Sequence, residues 1–216
     1  MASSPVPERD PAATERPRPP ENSADPRAAR RRGDDMTRHE SSFARLALLV
    51  RDICRLRRGP EEMPYSRRLL VVLIGASIGL DLLSERVLGG HDALARSLVS
   101  TTLVLALAWI ALAMRRAGNR YVQTASALVA CSIVFSLLVL PLAFLAGPLP
   151  GDATLTPLQT LLVWASFAIF VWSVLVDAHI IRRALDAQFG LGVALALAWT
   201  IADWALGHAL FDAAAQ

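Results

Sequence analysis

Hydrophobic and polar positions alternate between two regimes along the chain. From residue 69 onward, apolar runs of about Leu69 to Leu88, Ser97 to Met114, Tyr121 to Ala146, Leu155 to Val176 and Ala187 to Leu210 are separated by short polar turns. Each run is close to the roughly 20 residues that a helix needs to cross a bilayer. Five membrane-spanning helices are therefore predicted, occupying residues 67–212. The first and fifth runs contain acids, so four spans with a peripheral fifth segment is the competing count. Pro141 falls late in the third run, and "GPLPGDATLTP" after it is a turn-rich loop.

Before these runs the pattern is different. In "SFARLALLVRDICRLRR", residues 42–58, Phe43, Leu46, Leu49, Val50, Ile53 and Leu56 recur at spacings of three and four, while Arg45, Arg51, Arg55 and Arg58 fall mostly on the other side. That is an amphipathic helix. Its two possible destinations are the anionic headgroup layer, where those four arginines would bind the membrane surface, and the protein's own cytoplasmic loops. "GPEEMPYS" then breaks it: Gly59 and Pro60 end the helix, Pro64 bars its return, Tyr65 suits an interface and Ser66 can cap the next helix. Residues 41–66 thus form an interfacial helix and an elbow. Residues 1–40, rich in Pro, Arg, Ala, Asp and Glu, have almost no large apolar side chains and are expected to be a disordered cytoplasmic tail. No apolar signal core precedes residue 69, and Met36 is an alternative start.

Charge adds orientation. All 22 basic residues are arginine, and 15 of them lie in residues 1–68. Together with abundant Ala and Leu, this usage reads as a GC-rich bacterial coding sequence. Arg67, Arg68, Arg115, Arg116, Arg120, Arg182 and Arg183 flank one side of the predicted membrane, and only Arg86 and Arg96 flank the other. The positive-inside rule therefore places the N-terminus in the cytoplasm of a bacterial inner membrane and, with five spans, the C-terminus in the periplasm. A basic chain of this kind is no nucleic-acid binder, because its arginines flank spans and lack interleaved aromatics.

Candidate chemistry is sparse. Asp81 lies past the middle of the first span and Asp203 in the outer half of the fifth, helices that run in the same direction, so the two acids are expected at similar depth. Intramembrane carboxylates face the protein interior and are functional candidates. Arg86, His208 and Asp212 lie nearby in the outer half, with His208 and Asp212 one turn apart. A proton relay or cation site built on Asp81, Asp203 and His208 stands against a structural reading, an Asp81–Arg86 ion pair or a protonated aspartate bonded to a neighbouring helix, and the structural reading is preferred. In "VDAHIIRR", Asp177 and His179 are two apart and point away from each other, which excludes a shared metal and leaves a polar helix end at the interface. Trp164, Trp172, Trp199 and Trp204 read as packing and belt residues. Cys54 and Cys131 are expected too far apart in depth for a disulfide, as inert packing residues. No metal or cofactor is expected.

The elbow "RRGPEEMPYS", followed by five closely spaced helices, resembles the Yip family, the Ypt-interacting proteins, over residues 43–211. The family's "DLYGP"-type motif is matched only at Gly59-Pro60, without the preceding Tyr. The resemblance implies a helix bundle, oligomerisation in the bilayer and a non-enzymatic role in membrane organisation; no functional residue is carried over. The expected function is a non-enzymatic scaffold or assembly protein whose partners are the bilayer, its anionic headgroups and either further copies or another membrane protein. A small ion-coupled transporter using Asp81 and Asp203 is the alternative, and a polar cavity around Asp81 would favour it. An intramembrane enzyme would require a paired nucleophile and base or clustered His and Glu, which the sequence lacks.

Overall fold

A computed structural model describes residues 43–88, 93–147 and 155–212. The expected tail and most of the "GPLPGDATLTP" loop lie outside them. Among the described residues the fold is all helix with no strand. Residues 43–54 form α1. After a 3-10 turn at Pro60–Glu62 come α2 (Arg67–Leu88), α3 (Ala93–Met114), α4 (Tyr121–Ala146), α5 (Pro157–Leu185) and α6 (Phe189–Gly207), with a π-helical end at His208–Asp212.

Local chemistry explains the helix ends. Leu69 N–H donates to Ser66 Oγ at 3.3 Å, so Ser66 caps the start of α2. Thr156 and Gln159 form a reciprocal capping box at the start of α5, with Pro157 in the first turn. Gln159 also donates to the Ala146 carbonyl at 3.2 Å, which ties the end of α4 to the beginning of α5. Gly147 closes α4 at φ 63°, a left-handed conformation in which a side chain would be strained.

Four segments, Leu94–Met114, Gly118–Ala146, Pro157–Leu185 and Phe189–Phe211, are long and apolar enough to cross a membrane, yet only 17% to 28% of their most apolar stretches is buried. Apolar helices with so much exposed surface require a lipid solvent. The chain is a polytopic membrane protein. α2 has the same 22 residues as α3, but every 18-residue window through it contains three of the charges Arg67, Arg68, Asp81, Glu85 and Arg86. That charge content alone separates α2 from the other four.

α4 is the hub, touching α2, α3 and α5, while α6 packs against α5 and α3. Burial is uneven along the helices. Val122 and residues 124–131 of α4, together with Val174, Val176, Ala178–Ile181, Ala184 and Leu185 of α5, are buried. In antiparallel neighbours the first half of one lies beside the last half of the other, so the tight packing is concentrated at one end of the bundle. At that end α5 crosses α6 closely: a Cβ on Gly192 would sit 2.5 Å from the Ala178 carbonyl oxygen and 3.0 Å from Arg182 Cβ. Gly192→Ala should therefore destabilise the protein by about 1 to 3 kcal/mol. Gly190→Ala, with open space around its Cβ position, should be tolerated, and thermal unfolding in detergent compares the two.

The C-terminal part of the apolar face of α1 goes to the protein, while Phe43 at its start stays exposed. Val50, Ile53 and Cys54 are buried, with Leu46 and Leu49 packed beside them, whereas Arg45, Arg51 and Arg55 are exposed. Where α1 unwinds, its last carbonyl and those of the elbow that follows find donors on the bundle. Trp172 Nε1 donates to the Cys54 carbonyl at 3.0 Å, His179 Nε2 meets the Arg58 carbonyl at 3.2 Å, and Gln123 Nε2 donates to the carbonyls of Glu61 at 3.2 Å and Met63 at 2.8 Å. Arg183 reaches Glu61 at 3.3 Å. These contacts explain why α5 continues to Leu185, nine residues beyond the predicted limit near Val176: its polar last turns hold the elbow.

One expectation is overturned here. Cys54 and Cys131, expected at different depths, are both buried with their sulfurs 3.4 Å apart. α1 is not held away at the surface; its C-terminal end docks against α4 beneath Trp172. The contact with Cys131 draws the Cys54 thiol below the ordinary cysteine range, while burial and the nearby Asp177 carboxylate push the other way.

Candidate functional site

Asp81 is the centre of the polar interior. Ser97, on α3 and itself buried, donates its hydroxyl to Asp81 Oδ2 at 2.5 Å. The acid thus has a partner on a neighbouring helix, and that partner is not Arg86, which is exposed and to which no ion pair with Asp81 is formed. Of the two structural readings, the Asp81–Arg86 pair is not formed, whereas a bond to a neighbouring helix is, with the Ser97 hydroxyl of α3 as its donor.

Three cavities meet at Asp81. The largest, about 710 Å³, is bounded by Asp81, Glu85, Arg96, Asp203 and His208 among others. Asp81 and Asp203, each 14 residues or about 21 Å from the start of its helix, line this one space. Arg96 stacks over the Phe211 ring at 5.1 Å, and His208 packs edge-on against Trp204 at 4.4 Å. Glu85 Oε2 is buried without a hydrogen-bond partner. The Asp212 side chain lies outside the described residues. Because the space holds three carboxylates and one guanidinium, its local field favours cations.

A second cavity, about 600 Å³, has Ser84 and Ser136 with Phe135, Phe167 and Phe170 in its wall and is largely apolar. The third, about 210 Å³, continues from Asp81 toward the tightly packed end. Its walls carry Asp81 and Asp177, the hydroxyls of Ser77, Ser100, Thr101, Ser132 and Ser136, and no basic side chain. Asp177 was expected as a polar helix end at the interface; it faces this internal chamber instead. His179, two residues on, points to the Arg58 carbonyl, as the helical spacing requires. A signal for the chamber was present in the sequence as Ser77 with Asp81 and Ser132 with Ser136, two polar pairs at i, i+4 inside apolar runs. Among the described residues no three His, Cys, Asp or Glu side chains come together as metal ligands.

The four candidate surface arginines are at the opposite end from the large cavity. Arg45, Arg51 and Arg55 face outward from α1 and its last turn. Arg51 contacts Asp52 at 3.3 Å, and Arg58 is shared between Asp52 at 3.4 Å and Glu62 at 2.8 Å, so part of its charge is already balanced. Such exposed pairs contribute little stability.

No family model, curated protein or solved structure matches this chain. The Yip-like resemblance therefore rests on the elbow and helix pattern alone.

Proposed function

We propose that this protein is a small ion-coupled carrier of a bacterial inner membrane, with Asp81 as its central ion-binding carboxylate. The observation that supports this reading is the one-sided access to Asp81. The 710 Å³ cavity reaches it from the end bearing Asp203 and His208, while the other end of the bundle is packed shut by α1, the elbow and the buried halves of α4 and α5. A carrier exposes its site to one side at a time, and the arrangement fits its outward-open form. A scaffold needs apolar spans and partner-binding faces but has no use for carboxylates around a polar interior, which are expensive to keep in a membrane. The arginine asymmetry orients the closed end to the cytoplasm. A reporter fused after Gln216 is then active only in the periplasm and one inserted at Gly118 only in the cytoplasm; a cytoplasmic C-terminus would invert the account. The direct functional test is ion flux into proteoliposomes carrying wild-type or Asp81→Asn protein.

A further inference from the structure

We infer that the chamber below Asp81 is a binding site for a hard monovalent cation of the sodium type, with Asp177 as its anionic ligand; the inference rests on the carrier reading for the route by which the ion arrives. The walls offer oxygen only: two carboxylates and five hydroxyls, with no nitrogen or sulfur ligand and no basic side chain. That donor set excludes anions and the softer transition metals and selects hard cations. Asp81 already accepts from Ser97, whereas no hydrogen bond or ion pair reaches the Asp177 carboxylate among the described residues. Asp177 is half-buried among packed helices and lines the chamber. An unpartnered carboxyl group in such a setting takes up either a proton or a counter-charge, and a bound cation supplies the second.

The placement of the carboxylates favours a monovalent ion. Asp177 is eight residues, about 12 Å, before the end of α5 and Asp81 is 14 residues, about 21 Å, after the start of α2, so the two acids lie on different turns of the chamber wall and Asp177 is the one left to bind an ion alone. A single carboxylate balances a single positive charge. A divalent ion at Asp177 would leave one charge uncompensated in an apolar setting, and magnesium gives up its water reluctantly. Ser77 and Ser132 lie within about 5 Å of the level of Asp177 by the same count. Ser132, exposed at the edge of the chamber, donates its hydroxyl proton to the Val129 carbonyl at 2.9 Å, leaving its oxygen lone pairs available to a cation.

The experiment uses the purified full-length chain in detergent, with thermal unfolding and binding of radioactive sodium measured in sodium chloride against choline chloride. Sodium should raise the melting temperature of the wild type in a saturable manner. Asp177→Asn and Ser132→Ala should each weaken apparent sodium affinity by about tenfold or more, the loss expected for one ligand to a charged group. Arg86→Gln, outside the walls of the three cavities described above, should leave it unchanged. Identical wild-type behaviour in sodium and choline overturns the proposal, as does full retention of sodium affinity in Asp177→Asn. If Asp177→Asn fails to fold, Ser132→Ala decides: unchanged sodium affinity in that variant overturns the site. Sodium binding through Asp177 without Asp81-dependent flux would remove the carrier reading and leave this site; Asp81-dependent flux without sodium binding would do the reverse.

Discussion

Treating the native protein with diamide should join Cys54 to Cys131 within one molecule. The sulfurs are already 3.4 Å apart, so a small side-chain adjustment brings them to bonding distance. One S–S bond forms and two S–H bonds break, with two electrons and two protons passing to the azo group of diamide. Lowering of the Cys54 thiol by its neighbour favours the reactive thiolate. The readout is the number of maleimide-reactive thiols after denaturation without reductant: both should disappear together without covalent dimers, and Cys54→Ser should abolish intramolecular loss. The bridge would close a loop across 77 positions and pin α1 to α4, stabilising the protein by up to about 4 kcal/mol. Persistence of both thiols, or dimers alone, would place α1 elsewhere.

Asp81→Asn should abolish ion flux, by at least roughly tenfold, while abundance and melting temperature stay near wild type. A neutral amide still accepts from Ser97 and is less costly to bury than a carboxylate, so the fold keeps its contact. What it loses is a group able to bind and release a proton or cation. Asp81→Leu should lower stability as well, by about 0.5 to 2 kcal/mol, because the Ser97 hydroxyl is then left without its interhelical partner. Normal flux in Asp81→Asn would return the molecule to a structural role for this acid.

Much of the architecture is visible along the chain because lipid exposure demands long apolar runs, and Ser66, Gly59-Pro60 and Thr156-Pro157 punctuate them with ordinary capping and turn chemistry. That Asp81 and Asp203 line one space was legible from their positions along two helices running the same way. Asp177 was missed for a different reason. Its neighbours His179, Arg182 and Arg183 are polar enough to look like a helix end, and only the docking of the elbow, which engages His179 and Arg183, keeps those turns helical and leaves Asp177 facing inward. The cysteine contact depends equally on tertiary structure: amphipathicity shows that α1 has an apolar face, but not whether lipid or α4 covers it. Trp172, read as a packing or belt residue, packs edge-on against Phe135 and also bonds the last carbonyl of α1.

In the carrier, water and ions reach Asp81 from one side of the membrane, and cysteine accessibility beside Asp81 measures this. In a Cys54→Ser, Cys131→Ser background, Ser84→Cys and Ser100→Cys replace small side chains that line the large cavity next to Asp81, with exposed Leu83→Cys as the lipid-facing control. A charged, membrane-impermeant thiosulfonate added to the side bearing the C-terminus should label both cavity positions, label neither from the opposite side, and leave position 83 unmodified. Absence of labelling at 84 and 100 from either side, with Gly207→Cys at the cavity mouth still reactive, would contradict an ion-accessible Asp81 and with it the carrier.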